Sequence, residues 1–468
     1  MTTGWSKDAG YRVFRRFLAN VLSQGGSVLL QLLSVPIFFA YWGNSIYGSW
    51  LILFTIPSLL SFSDLGLSTS AGNAMIHAVA LQRVPEAVRL FQSTLFGITC
   101  AGSIIFIVTL GIVTFFPQAL ISIEGNSEAD VATVIVFLAA YSVATQFICL
   151  ITVGFRSDGR YALGSVLFFA TSTVEYLVVM AVVLLGGKCV AVSAALFVVR
   201  TLGCVCLSRV LALRVPWLRQ GFDDARIATL RSLARQSLAV LALPMAQATT
   251  LQGTVLVLGS LLSPGSVSAF VTVRTATRAG VQAVYLLNHA LMPEFAAVGA
   301  RDDAVRCAQL VIVNFLGIAI TLAPVAFVLL AFGPVLIGAW THGHVVPDRS
   351  LVVGMVAIMM VNAIWQPTAN LLLALNRQES YAYAYVTLSF ACLSLAYVLI
   401  TYHGLEGAVI ANFVLDMIML IIIFYLVFLK QELGEIETKA GFARLKSTVR
   451  LRWISSWLYR RYPPANGA

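Results

Sequence analysis

The chain has 468 residues, of which 59 % are hydrophobic and 11 % charged, with a mean hydropathy of +0.89. No soluble globular domain carries so little polar surface, so the composition excludes that class and defines a polytopic helical membrane protein. The formal net charge of +10 would suit nucleic acid, but its placement points to membrane-facing loops and anionic lipid instead, and nucleic acid is not expected as a partner.

Apolar runs of about 20 residues recur along the chain. They predict twelve spans: Phe17–Trp42, Ile46–Ser70, Ala87–Phe116, Val131–Phe155, Ala162–Gly186, Val190–Leu213, Ser237–Leu262, Val267–Val298, Ala308–Trp340, Leu351–Leu375, Tyr381–Tyr402 and Ala408–Leu429. The run after Arg15-Arg16 is too long for a signal peptide and reads as the first span. Of the 30 lysines and arginines, only Lys188 and Arg349 fall on one set of loops, and Arg200, Arg274 and Arg278 fall within spans. The others lie on the opposite loops and the ends, so both termini are expected in the cytoplasm. The outer loops are short, too short to hold a catalytic domain. No P-loop is present, and the seven cysteines form no metal or disulfide framework. No cofactor is expected.

A shift of 220 residues lays charged breaks on charged breaks. Arg15, Leu18 and Ala19 meet Arg235, Leu238 and Ala239; Gln146 meets Gln366; Gly187 and Ala191 meet Gly407 and Ala411. With an even number of spans per half the repeats are parallel, which is a transporter architecture. The expected organisation is an N-lobe over 1–213, a basic cytoplasmic loop over 214–236 lying on the membrane surface, a C-lobe over 237–430 and a basic tail over 431–468. In the tail, Phe442, Leu445, Val449, Trp453 and Trp457 share one helical face, the pattern of an in-plane amphipathic helix.

Polar stripes on span helices mark faces turned to water or to a substrate cavity. Span one carries Asn20, Gln24, Ser27, Gln31 and Ser34 on one face; span eight carries Arg274, Arg278, Gln282, Tyr285 and His289. Each arginine in an apolar span costs about 2.5–3.5 kcal/mol on insertion scales. Two readings stand. The pair binds an anionic group, or each arginine pairs with a carboxylate on a neighbouring helix and positions it. Glu175 in span five and Arg200 in span six both fall near mid-membrane, as an ion pair or, for Glu175, a coupling-ion site. Asp64 ends span two near the cytoplasm, and Asp416 in span twelve has no obvious partner in its own hairpin.

The segment Trp42-Gly43-Asn44-Ser45-Ile46-Tyr47-Gly48-Ser49-Trp50, the stretch Ser63-Asp64-Leu65-Gly66-Leu67 and the second-half counterpart Ser263 to Phe270 resemble the polysaccharide transporters, or O-antigen flippases, of the multidrug/oligosaccharidyl-lipid/polysaccharide (MOP) superfamily. The resemblance covers nearly the whole chain. It implies an all-α, MATE-like fold of twelve spans in two six-helix lobes around a central cavity. It also implies flipping of an undecaprenyl-pyrophosphate-linked oligosaccharide, the repeat unit of O-antigen, capsule or exopolysaccharide, across a bacterial inner membrane by alternating access. Membrane lipid and glycan-assembly proteins such as a polysaccharide polymerase are the implied partners. Arginines in the eighth span of related flippases are thought to engage the pyrophosphate, and Arg274 and Arg278 fall in that region. Related lipid II flippases have fourteen spans, more than this chain has room for. Drug exporters of the superfamily share the twelve-span plan and handle mostly cations, with Asp64, Glu175 and Asp416 then as proton or sodium sites. A membrane enzyme would be expected to have larger outer loops.

Overall fold

Lipid offers no hydrogen bonds to a backbone, so an apolar chain crossing it satisfies its peptide groups internally, most simply as helices. The computed structural model describes residues 7–61, 66–115, 127–299, 304–374 and 379–430, and among these there is no β-strand. The helices are α1 (Lys7–Leu53), α2 (Thr55–Leu60), α3 (Leu67–Ala80), α4 (Val84–Phe115), α5 (Glu128–Ser157), α6 (Tyr161–Leu184), α7 (Cys189–Arg214), α8 (Ile227–Ala248), α9 (Thr254–Leu261), α10 (Pro264–Gly299), α11 (Ala304–Trp340), α12 (Arg349–Ala374) and α13 (Glu379–Phe424). The tail over 431–468, with its expected amphipathic helix, lies outside the described residues, as does Asp64.

Nine helical stretches among the described residues are long and apolar enough to cross a membrane. Two of these are each a pair of helices joined at a glycine: α1 breaks at Gly43 (φ +66°) and α13 at Gly404 (φ +55°). These left-handed conformations favour glycine. Beyond the second break the chain folds back on itself so tightly that a Cβ on Gly407 would lie 2.2 Å from the Leu399 carbonyl oxygen. The turn between α6 and α7 is built alike, with a Cβ on Gly187 falling 2.8 Å from the Val182 carbonyl. Helix α10, which carries both arginines, is not among the nine.

The second span is expected as one helix, Ile46–Ser70, but is broken. Helix α1 ends at Leu53, and Pro57 sits four residues on in α2. A proline ring clashes with the carbonyl four residues before it, which ends a helix there. The chain resumes as α3 after Gly66 at φ +68°. Helix α8 begins at Ile227, ten residues before Ser237, where the seventh span is expected to start.

Two compact units make up the chain. The first comprises Met1–Ala276, Phe332–Met355 and Tyr385–Asn412, the second Thr277–Ala331, Val356–Ala384 and Phe413–Ala468. In the first, α5 packs against α3, α4, α6 and α7. Its core joins Met75, Phe91, Ile98, Ile148, Phe155, Leu207 and Leu211. The hairpin after Gly43 meets the start of α10 so closely that a Cβ on Gly48 would lie 1.8 Å from the Pro264 carbonyl oxygen. The second buries Leu322, Met359, Trp365, Leu372, Met419 and Ile423. Outward-facing residues are apolar, with Phe115 80 % and Ile320 75 % exposed, a surface suited to acyl chains rather than water.

Candidate functional site

In the first unit, the environment of Arg274 starts in the neighbouring helix. Between α8 and α9 the chain makes a π turn over Thr249–Gly253. The extra residue of a π turn skews the carbonyl ladder and opens a carbonyl to side-chain donors. Arg274 Nη1 donates to the Leu251 carbonyl at 2.8 Å, and its guanidinium stands 5.6 Å from the centre of the Phe270 ring, one turn back on α10. Arg274 is half-buried and anchored by a neutral carbonyl, so its positive charge is held in place without being cancelled by that contact.

Glu175 and Arg200 meet in the same unit. Arg200 Nε lies 2.5 Å from Glu175 Oε1, and Arg200 Nη2 donates to Glu175 Oε2 at 2.5 Å and to the Tyr141 hydroxyl at 2.6 Å. The guanidinium also stands 4.9 Å from the Tyr141 ring centre. Both charged side chains are only 6 % exposed. The cluster is compact and formally neutral, joined by one charge-assisted hydrogen bond and a second close ion-pair contact, which is how a buried arginine is tolerated.

In the second unit, Arg278 is half-buried and makes no hydrogen bond or ion pair with any described residue. One turn further along α10, Gln282 Oε1 is buried with no hydrogen-bond partner among the described residues. Tyr285 follows within electrostatic reach of both Arg278 and Asp416. Asp416 is buried and accepts hydrogen bonds at Oδ1 from Trp365 Nε1 at 2.8 Å and Asn362 Nδ2 at 3.3 Å. Both donors are neutral, so Asp416 has no ion pair among the described residues.

Of the other expected residues, Gln31 is half-buried on α1, while the side chains of Asn20 and Gln24 lie outside the described part of that helix. Sequence reading missed Tyr141, Trp365, Asn362 and the Leu251 carbonyl. Asn362 and Trp365 are three apart on one helix, a spacing that puts two donors on one face and was available as a signal. The π turn left none.

No protein-family model matches the chain, and no curated protein sequence matches it. Solved structures do. An inward-facing multidrug resistance MATE family transporter of the MOP superfamily shares 13 % identity over 90 % of this chain and 99 % of its own, with a TM-score of 0.65. The lipid II flippase MurJ, in an inward closed conformation, gives 12 % identity over 96 % of this chain and 99 % of its own, also at 0.65. A MOP superfamily transporter from Pyrococcus furiosus, described by a binding pocket of reverse polarity, gives 14 % identity over 92 % and 95 %, at 0.57. The chain thus has the fold of the MOP superfamily transporters and is a multi-pass membrane protein. A MATE transporter and a lipid flippase match it equally well, so fold does not separate those two classes and the site residues have to.

Proposed function

We propose that this protein is a flippase that moves an undecaprenyl-pyrophosphate-linked oligosaccharide, an O-antigen, capsule or exopolysaccharide repeat unit, from the inner to the outer leaflet of a bacterial inner membrane by alternating access of two repeat-related lobes, 1–213 and 237–430. The observation that carries the reading is Arg278: a half-buried guanidinium on α10 with no ion-pair partner among the described residues. Such a group is stabilised by an arriving anion, and its planar fork suits phosphate oxygens. Arg274, one turn away on the same helix, adds a second fixed cation. Gln282, whose amide oxygen has no hydrogen-bond partner among the described residues, and the stripe Asn20, Gln24 and Gln31 suit sugar hydroxyls. Polysaccharide polymerase and other glycan-assembly proteins are the partners this reading predicts, and both termini are cytoplasmic.

The test replaces Arg274 and Arg278 separately with alanine and with lysine and measures surface glycan in a strain lacking the native gene. The expected result is loss of export in the alanine variants and partial retention with lysine. Normal export from correctly inserted alanine variants at both positions would overturn the phosphate role.

A second reading, a cation-coupled multidrug exporter, is favoured by Asp416, a buried carboxylate whose partners among the described residues are the neutral donors Trp365 and Asn362. Drug efflux from a sensitised strain, abolished by Asp416→Asn, would support it; unchanged drug sensitivity on expression would eliminate it.

A further inference from the structure

The linker that follows α7 is built onto the first unit by specific contacts rather than resting there. Gln220 Nε2 donates to the Ser208 carbonyl at 2.9 Å, and the Ser208 hydroxyl donates to Gln220 Oε1. Trp217 Nε1 donates to Asp158 Oδ1 at 2.8 Å, and Leu218 is buried beside Gly154 and Leu211. Gln92 Nε2 donates to the Arg219 carbonyl at 3.1 Å and Gln92 Oε1 accepts from the Asp224 amide. These contacts fold the chain around a cavity of about 370 Å³ lined by Ser208, Arg209, Pro216, Leu218, Arg219 and Gln220. Two arginines line it and no acid does. Neither arginine forms an ion pair with a described residue, and the nearby Asp158 already serves Arg160 at 2.7 Å and Trp217.

The outer face of α7 says what the cavity opens onto. Val198, Leu202, Val205, Arg209 and Leu213 follow one another at helical spacing on one face. The four apolar members are 49 %, 64 %, 54 % and 80 % exposed. A row of exposed aliphatic side chains on a membrane helix faces acyl chains, and Arg209 interrupts it one turn before the helix ends. Trp217, apolar in body and polar at its nitrogen, fits the depth where headgroups begin.

We infer that Arg209 and Arg219 hold the phosphate of an anionic phospholipid headgroup in this cavity, with one acyl chain laid along Leu202 and Val205. The ligand couples the end of α7 to the linker and is distinct from any transported substrate. Two arginine forks meet phosphate oxygens bidentately, and a lipid is chosen over a free anion because the binding cations and the apolar stripe are continuous.

The full chain, purified in detergent, is titrated with phosphatidylglycerol and with phosphatidylcholine, and bound lipid is counted by native mass spectrometry. The wild type is expected to retain phosphatidylglycerol in preference to phosphatidylcholine. The Arg209→Ala/Arg219→Ala double variant is expected to bind phosphatidylglycerol about tenfold more weakly or worse, while Arg231→Ala, which removes an exposed arginine elsewhere, leaves binding unchanged. Equal binding by wild type and double variant overturns the site. An equal loss in Arg231→Ala overturns it too, because the attraction is then diffuse. Displacement of the lipid by inorganic phosphate would show a free-anion site and overturn the lipid assignment.

Discussion

Two buried polar clusters sit one in each compact unit, and they are closed in different ways. In the first, Arg200 on α7 faces Tyr141 on α5, with Glu175 of α6 closing the pair. In the second, Asp416 on α13 faces Asn362 and Trp365 on α12. Under the shift of 220 residues Tyr141 falls on Val361, beside Asn362, and Arg200 falls on Leu420, one turn from Asp416. At that shift a cationic position in the first cluster lies four residues along the sequence from the anionic position in the second. Glu175 falls on Leu395, so the partner that neutralises the first cluster has no equivalent in the second. One half has a closed ion pair; the other has a carboxylate supported by neutral dipoles. A closed pair already has its counter-ion, whereas a carboxylate held by neutral donors keeps its charge uncompensated by those contacts. The first cluster is neutralised within itself, whereas the second is held, among the described residues, by neutral donors alone.

Breaking the closed pair should have the largest effect. Arg200→Ala leaves Glu175 buried with only the Tyr141 hydroxyl at 3.5 Å, and removing one partner of a buried pair costs about 3–5 kcal/mol. The variant should lose folded yield and unfold well below the wild type in a detergent thermal-shift assay. The double change Glu175→Gln/Arg200→Met removes both charges at similar volume and should recover most of that loss, because a buried pair contributes little beyond the well-packed neutral alternative. If the double variant is as damaged as the single, the cluster does more than neutralise itself.

The second cluster should respond more weakly to loss of its best donor. Trp365→Phe keeps most of the buried ring and removes the 2.8 Å bond to Asp416. A hydrogen bond to a charged group contributes about 1.5–3 kcal/mol, and the same thermal assay should register that range. A shift as large as that of Arg200→Ala would erase the contrast between the clusters.

The helical fold was legible because burial in lipid imposes one solution on apolar runs of this length. The expected spans Val190–Leu213 and Val131–Phe155 differ from α7 and α5 by only one to three residues at each end. What was not legible has specific causes. The break of the second span depends on Pro57 acting on Leu53, while proline elsewhere, as Pro244 within α8, leaves its helix continuous. At the candidate site, charges inside spans announced themselves by their insertion cost, which singled out Arg200, Arg274, Arg278, Glu175 and Asp416. Their partners did not. Tyr141 and Trp365 are ordinary residues of apolar helices, and only tertiary packing turns their polar tips toward a charge. The Leu251 carbonyl that anchors Arg274 is backbone, freed by a π turn that no side-chain pattern encodes.

The smallest structural effect should come from Asp416→Asn, and it separates the two clusters most sharply. Asparagine keeps an oxygen where Oδ1 accepts from Trp365 and Asn362, and it removes a charge that has no ion-pair partner among the described residues. Relief of a buried charge offsets the weakening of two charge-assisted bonds, so stability should stay within about 1 kcal/mol of wild type or rise. Transport is a separate readout. If the second cluster holds a coupling cation, the variant folds normally and loses its response to an imposed proton or sodium gradient, measured as glycan export or drug efflux. If the carboxylate is only structural, gradient response is unchanged. A variant as unstable as Arg200→Ala would mean that Asp416 is neutralised as tightly as Glu175, and the contrast between a closed and an open cluster would fail.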